Sequence, residues 1–131
     1  MLTLLLPIDG SDYSTRAIDY AIRRAHEARE GARVHLVNVQ PQIATPHVKL
    51  LVSRDSLDDY YRDESSVVLT PALERLRDAT VPATAHSRVG HAVDHIIDCC
   101  NAQHCDEIVI GTHGRGVHDF LRDRAHQRTF E

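Results

Sequence analysis

The sequence contains no tryptophan and only two phenylalanines, and aromatic residues make up 5% of its 131 residues. Because single-stranded nucleic acid is bound on aromatic stacking platforms, this composition argues against that class of partner. Positive charge is lacking as well: the formal net charge is −4 at pH 7, whereas proteins that bind a phosphate backbone are basic. We therefore expect no nucleic acid among the partners.

Long apolar segments are also lacking. The apolar run from Met1 to Ile8 lacks a basic segment and is too short for a signal peptide or a membrane span. The cysteines, Cys99, Cys100 and Cys105, are odd in number and form no C-x-x-C pair, which excludes a disulfide framework and a zinc ribbon. We expect a soluble, cytoplasmic protein with no membrane contact, and its length predicts a single domain over residues 1–131.

What the sequence does contain is an alternation of apolar runs and helical patterns. Strands are predicted at residues 2–9, 33–39, 82–89 and 107–111. The third run is more polar than the others, which favours a position near an edge. Strands that alternate with helices imply right-handed βαβ units. The fold class expected is therefore α/β, with an open, mostly parallel sheet sandwiched by helices.

Capping residues and prolines predict where the helices begin and end. Cap oxygens for the first helix are offered by Ser11, Asp12 and Ser14. That helix is expected to end near Gly31. The second helix is expected to be capped by Asp55 or Ser56, and Pro71 predicts a kink or a break inside it. The connection from 40 to about 53 carries few local signals and is predicted to be a mobile loop.

A glycine-rich turn, residues 111–116, follows the fourth apolar run. Glycines after a buried strand let backbone N–H groups point at a ligand. In parallel sheets, ligands bind outside the carboxyl ends of the strands where the strand order reverses. Asp9 ends the first run, so we expect it to face this turn across one crevice. The alternatives are that the turn needs glycine for geometry alone and that Asp9 caps the first helix.

Histidine is abundant in the sequence, which contains ten of these residues. His91 and His95 are four residues apart on one predicted helix, and Asp98 follows at a spacing that can bind zinc. The opposite, apolar face of that helix is formed by Val93, Ile96, Ile97 and Cys100. We therefore interpret these histidines as solvent-exposed and expect no metal site. The sequence also lacks G-x-S-x-G, a Walker A lysine and G-x-G-x-x-G, so we expect no enzyme, and at most very weak ATP hydrolysis.

Three segments, in the right order, resemble the universal stress protein family. They are Pro-Ile-Asp-Gly-Ser-x-x-Ser at 7–14, Val-His-Leu-Val-Asn-Val at 34–39 and Asp-Glu-Ile-Val-Ile-Gly-Thr-His-Gly at 106–114. The resemblance covers about residues 2 to 121. It implies a five-stranded parallel sheet of order 3-2-1-4-5, a role as a small stress-response and signalling module, and binding of ATP with Mg²⁺.

The resemblance also implies site residues. Those expected to line the adenine and ribose are Pro7, Ile8, Asp9 and Val39. Those expected beside the phosphates are His113, Gly114 and Arg115, with Gly111 opening the family's G-x-x-G motif. The family's second motif, G-[S/T], falls on Arg124 and Ala125, and this departure puts phosphate binding in doubt because Arg124 replaces a glycine that lets backbone approach.

A second departure from the family concerns the fifth strand. Residues 117–131 contain few large apolar groups, so that strand is expected to be missing and the order to be 3-2-1-4. The fifth strand commonly makes the dimer contact in the family, and a homodimer is therefore implied only by analogy. The alternative function is a nucleotide-free interaction protein, which would act through an exposed edge of the fourth strand.

Overall fold

The computed structural model describes residues 1–43 and 53–111, in which four parallel strands form one sheet of order β3-β2-β1-β4. The strands are β1 (Leu2–Pro7), β2 (Ala32–Gln40), β3 (Ala83–Val89) and β4 (Glu107–Ile108). The helices are α1 (Asp12–Glu27), α2 (Arg54–Asp78) and α3 (Ala92–Ala102). The predicted α/β class and the order 3-2-1-4 of these four strands are thereby confirmed, and the polar third strand lies at an edge of this sheet. The predicted absence of a fifth strand concerns residues 117–131, which lie outside the described residues.

Helix α2 differs from its prediction in its N-cap residue and in its continuity. Its N-cap is Ser53, whose Oγ accepts a hydrogen bond from the Ser56 N–H at 3.1 Å, so the prediction of Asp55 or Ser56 is wrong. The helix also continues through Pro71, so the predicted break is wrong, and the alternative of a kink stays a prediction. Pro71 is exposed, and Val67, whose carbonyl loses its helical donor there, is 72% exposed. We infer that water can hydrogen-bond to this carbonyl, which makes proline tolerable on this face.

The sheet has two differently packed faces. The face covered by α1 and α2, the α1/α2 face, contains a continuous core of leucine, valine, isoleucine and alanine. Its largest fully buried side chains are Leu4, Leu6, Val34, Leu36 and Leu76. The face covered by α3, the α3 face, has a smaller core. Its buried members are Leu5, Val37, Ile96, Cys99, Cys100 and Cys105.

The three cysteines are buried at the end of α3 and in the turn that leads to β4. Burial raises the pKa of the Cys99 thiol, and a hydrogen bond with Cys100 together with burial raises the pKa of Cys105. His104, between α3 and Cys105, adopts a positive φ of 53°, and the Cys105 N–H donates to the Cys100 carbonyl at 3.0 Å. This is a Schellman-type helix end in which the first and last residues are both cysteines.

Two histidines form a pair on the α3 face, near the edge of the sheet. His35 of β2 and His86 of β3 lie with Nδ1 and Nε2 2.9 Å apart, and His35 is 7% exposed. Burial, followed by the charge of Arg33, lowers the pKa of His35. Burial, His35 and Arg88 lower the pKa of His86. The pair is therefore held in its neutral form, in which one ring nitrogen donates and the other accepts.

Among residues 1–43 and 53–111, no helix combines the length and the apolar composition that a membrane span requires.

Candidate functional site

A cleft lies at the carboxyl end of β1, where the strand has β2 on one side and β4 on the other. This is a point at which the strand order reverses, the usual position of a ligand in open parallel sheets. The cleft encloses about 180 Å³. Its lining residues are Pro7, Ile8, Asp9, Ser14, Val37, Val39, Ala92, Ile96, Ile110 and Gly111.

The cleft opens on the β4 side because Pro7 has no N–H. The β1–β4 ladder pairs Leu4 with Glu107 and Leu5 with Ile108, and the Val109 N–H donates to the Leu5 carbonyl at 2.8 Å. The next donor of β1 toward β4 would be residue 7, and proline cannot supply it. The predicted fourth strand at 107–111 is therefore cut short after Ile108, and Ile110 and Gly111 line the cleft.

The cleft opens on the β2 side because the β1–β2 ladder also stops. The last pair is Pro7 with Val37, followed by one bond from the Ile8 N–H to the Val37 carbonyl at 2.9 Å. The Ile8 carbonyl then accepts from the side-chain Nδ2 of Asn38 at 2.8 Å. The predicted first strand at 2–9 consequently ends at Pro7, and Val39 lies beyond the last pair with β1.

Asp9 is fixed at the mouth of the cleft by the start of α1. Its Oδ1 accepts from the Ser11 N–H at 2.9 Å and from the Ser14 Oγ at 2.7 Å, while its own N–H donates to Ser14 Oγ. Burial alone would raise the pKa of Asp9, but the hydrogen bonds from Ser11 and Ser14 outweigh it and keep the pKa below its usual value. The carboxylate is therefore ionised at neutral pH, with Oδ1 engaged.

The cap of α1 is formed by a neighbour of Asp9. Ser11 is the N-cap residue, and its Oγ accepts from the Ser14 N–H at 3.3 Å. Asp9 supports this turn from outside the helix and lines the cleft as well. The alternative that Asp9 itself caps the helix is therefore wrong, whereas its place in the crevice agrees with the lining of the cleft.

Gly111 lies against the first turn of α1. A Cβ at this position would overlap the backbone carbonyl of Tyr13, so any residue larger than glycine must push the two segments apart. This contact is a packing reason for glycine at 111, and it brings the end of the fourth apolar run to the N-terminus of α1. The same residue also lines the cleft.

Two helix N-termini border the cleft. Ser14 belongs to the first turn of α1, and Ala92 is the first residue of α3. Each helix start carries a partial positive charge from its unpaired N–H groups, which favours a negatively charged ligand nearby. At α3 the N-cap residue His91 makes no side-chain capping bond.

The structure brings together five of the residues that the sequence singled out, namely Pro7, Ile8, Asp9, Val39 and Gly111. The other three, His113, Gly114 and Arg115, lie outside the described residues, as do Arg124, Ala125 and most of the loop predicted at 40–53. Sequence reasoning missed Ser14 and Ala92 as lining residues and treated Ile96 as core only. Ser14 and Ala92 could have been predicted from the sequence, because the carboxyl ends of parallel strands and the N-termini of the helices that follow them lie at the same edge of the sheet.

The histidines on α3 take different positions. His91 is exposed, as expected, but His95 is half-buried because its ring covers Gly90, where a Cβ would lie 2.9 Å from the His95 Nε2. The prediction that His95 is solvent-exposed is therefore wrong. Within the described residues, no three histidine, cysteine or acidic side chains are grouped so as to hold a metal ion.

Solved structures of known proteins share this fold. A protein of the universal stress protein family from Burkholderia pseudomallei is 26% identical, with a TM-score of 0.75, and the match covers 94% of this chain and 89% of the other. A family protein from Arabidopsis thaliana with AMP bound is 15% identical, with a TM-score of 0.68 over 95% and 86%. A universal stress protein in complex with cAMP is 22% identical, with a TM-score of 0.61 over 83% and 75%.

None of the curated protein sequences matches this chain. The family model of the Universal stress protein family, however, matches residues 1–123, which is nearly the whole sequence. The match agrees with the sheet order and with the segments that carry the resemblance. The chain therefore belongs to the universal stress protein family.

Proposed function

We propose that this protein binds an adenine nucleotide in the cleft at the carboxyl ends of β1 and β4 and acts as a small signalling module in a stress response. The observation that carries the proposal is the cleft itself, in which an apolar wall, an ionised carboxylate and two helix N-termini converge. The AMP and cAMP bound by two structural relatives support the choice of an adenine nucleotide.

The adenine ring is proposed to lie against the backbone of Val39. In β2, the Val37 carbonyl faces β1, because it accepts from the Ile8 N–H. Peptide groups two residues apart face the same side of a strand, so the N–H and C=O of Val39 also face β1, beyond the end of the ladder. An N–H donor beside a C=O acceptor matches the ring nitrogen and the amino group on one edge of adenine. Val37, Ile96 and Ile110 would cover the ring faces.

The ribose and phosphates are proposed to extend past Asp9 toward the glycine turn. The ionised carboxylate of Asp9 can accept hydrogen bonds from the ribose hydroxyls, or contribute an oxygen to Mg²⁺ in an ATP complex. The volume of about 180 Å³ is below the usual range of about 300–1,000 Å³ for ligand sites. We propose that the described residues supply one part of the nucleotide site. The roles of His113, Gly114 and Arg115 at the phosphates remain predictions.

We propose a binding module rather than an enzyme. Among the described lining residues, Asp9 is the one ionisable side chain, and Ser14 is committed to hydrogen bonds with it. General acid–base catalysis needs a positioned group that exchanges a proton near neutral pH, and the lowered pKa of Asp9 makes it a poor candidate. Nucleotide occupancy would then act by changing the surface offered to a partner.

The test is calorimetric titration and thermal unfolding with AMP, and with ATP and Mg²⁺, using GMP as the competing base. A ligand that binds only the folded protein stabilises it by about 2.7 kcal/mol at 100 times its Kd. Asp9→Asn should weaken binding, whereas Asp12→Asn, an exposed carboxylate one turn away, should not. Equal binding of AMP and GMP, or no binding of either adenine nucleotide, would contradict the proposal.

A second function is favoured by the position of β4. Among the described strands, β4 pairs with β1 alone, so its other side is an edge of the sheet that another chain can extend. A proline at Val109 would be a poor test, because the Val109 N–H already donates to Leu5. Ile108→Pro removes a donor on the outer side instead. Loss of self-association or partner binding in Ile108→Pro, with no nucleotide effect, would favour this interaction function.

A further inference from the structure

We propose that Asn38 is a positioning residue that stops the β1–β2 ladder and thereby keeps the peptide edge of Val39 open for the adenine ring. This inference rests on the proposed nucleotide function, since it names the residue that shapes the base subsite. Asn38 does not line the cleft; it lies beneath it, on the α1/α2 face, and is 3% exposed.

The argument begins with the register of the two strands. Pro7 pairs with Val37, so the next residues, Ile8 and Asn38, stand opposite each other. In a continued parallel ladder the Ile8 carbonyl would accept from the Val39 N–H. The Ile8 N–H still makes its bond to the Val37 carbonyl, but the ladder ends there, and the Ile8 carbonyl accepts from Asn38 Nδ2 at 2.8 Å. A side-chain amide has taken the place of the backbone donor.

A chain of hydroxyls, which runs from the exposed Ser87 to the buried Ser65, fixes the orientation of the Asn38 amide. Its Oδ1 accepts from Ser65 Oγ of α2 and from Gln40 Nε2, both at 2.8 Å. Ser65 in turn accepts from Ser87 Oγ of β3 at 2.8 Å. Because two donors hold Oδ1, the amide cannot flip without leaving them unpaired, so Nδ2 stays directed at the Ile8 carbonyl.

This polar chain is placed in an otherwise apolar layer. Ser65 is 2% exposed, and the buried neighbours on this face include Leu36 and Leu69. Buried polar groups are costly unless all are paired, and apolar residues at both 38 and 65 would avoid that cost. Valine or isoleucine would also suit a central strand. Stability alone therefore does not call for asparagine here, whereas an open end of the β1–β2 ladder does.

The first experiment measures amide hydrogen exchange at Val39 by NMR in the nucleotide-free protein. In the unmodified chain, the Val39 amide should exchange rapidly, and saturating AMP should slow it. In Asn38→Val the ladder should extend, so the Val39 amide should be protected without any nucleotide. General destabilisation would have the opposite effect, because it increases exchange. A Val39 amide that is already protected in the nucleotide-free unmodified protein overturns the inference.

The second experiment measures AMP affinity in matched variants. Asn38→Asp keeps the shape and still accepts from Ser65 and Gln40. When ionised it repels the Ile8 carbonyl and cannot donate to it, so that this carbonyl is left to accept from the Val39 N–H. Asn38→Val and Asn38→Asp should each raise the Kd for AMP about tenfold, the value of one hydrogen bond at the upper end of the usual range. Leu76→Ala, which removes core packing on the same face, should leave the Kd unchanged.

The outcomes separate this inference from the proposed function. If the unmodified protein binds AMP and both Asn38 variants bind it equally well, the positioning role is wrong and the nucleotide function stands. If the unmodified protein binds no adenine nucleotide, the proposed function fails, and Val39 exchange alone decides whether Asn38 stops the ladder. If only one variant folds, Val39 exchange in the unmodified protein and the Kd of that variant for AMP are enough to decide whether Asn38 is a positioning residue.

Discussion

The two faces of the sheet differ in how completely they are packed. On the α1/α2 face, Leu4, Leu6 and Leu36 of the strands are fully buried, and Leu76 of α2 joins them. On the α3 face, Leu5 and Val37 are buried, but at the carboxyl end of the strands Val39 and Ile110 are only half-buried and line the cleft. One sheet thus has a closed face and a face that is open at one end.

This difference indicates that folding stability and ligand binding can depend on opposite faces of the same sheet. The leucines of β1 alternate with residues that face the other way, so neighbouring positions contribute to different properties. The closed face supplies most of the apolar burial, and the open face supplies the site. Variants on the two faces should therefore separate the free energy of unfolding from the Kd.

The largest stability effect is expected for Leu76→Ala on the closed face. Leu76 is 0% exposed, and truncating such a leucine leaves a cavity that costs about 3 kcal/mol of unfolding free energy. Urea denaturation measures this loss, and calorimetry measures AMP binding well below the unfolding temperature. If the Kd for AMP increased together with the loss of stability, the two faces would not control binding and stability separately.

Gly111→Ala should affect the open face with a smaller loss of stability. The added methyl group overlaps the Tyr13 carbonyl, so the segments must separate, at about 1–3 kcal/mol, and the geometry of the cleft changes. We expect weaker AMP binding by calorimetry. The control is Gly31→Ala, a glycine with a positive φ of 78° and open space around its Cβ position; it should cost about 1 kcal/mol and leave binding intact. Unchanged binding in Gly111→Ala would show that the contact is irrelevant to the site.

Acidification should destabilise the protein through the histidine pair on the α3 face. The folded-state pKa values of His35 and His86 are lowered by burial and by Arg33 and Arg88. The unfolded chain therefore binds protons first as the pH falls below about 6.5, and each such histidine costs up to about 1.4 kcal/mol per pH unit until the folded pKa is reached. Thermal unfolding between pH 7.5 and 5 measures the slope. His86→Leu should reduce it, and an unchanged slope would exclude the pair as its source.

The smallest effect is expected for Arg24→Gln. The Arg24 guanidinium and the Glu107 carboxylate form an ion pair at 2.7 Å between α1 and β4, and both side chains are partly exposed. Exposed ion pairs contribute little and are screened by salt. The melting temperature should fall slightly at low ionic strength and hardly at all at physiological salt. A large decrease in the melting temperature would show that the attachment of β4 depends on this ion pair more than on its backbone pairing with β1.

The sequence predicted the parts of the fold that depend on apolar periodicity. The strand positions, the edge position of β3 and the meeting of Asp9 with Gly111 at one end of the sheet all follow from apolar runs and strand order. The ends of the strands were predicted less well. A parallel ladder is formed by two segments distant in sequence, so the effects of Pro7 and Asn38 become visible only when the register is known.

Asn38 shows most clearly which features of the fold could not be predicted from the sequence. In the sequence it is one polar residue in an apolar run, which suggests either an exposed position or a strand end. Its buried position and its partners Ser65 and Ser87 come from elements far along the chain. The cap at Ser53 was missed for a more local reason, because several serine and aspartate residues in succession offer equivalent caps and packing of α2 selects among them.

The rate at which the buried cysteines react with a thiol reagent measures how often α3 separates from the sheet. Of the three thiols of the chain, those of Cys99 and Cys100 belong to α3 and that of Cys105 follows it; all three are buried, and only a thiolate can attack a thiol reagent. Labelling under native conditions must therefore wait for this helix to lift from the sheet. The labelling rate of the unmodified protein reports the frequency of that opening without any mutation. A nucleotide that bridges α3 and the strand ends should slow it.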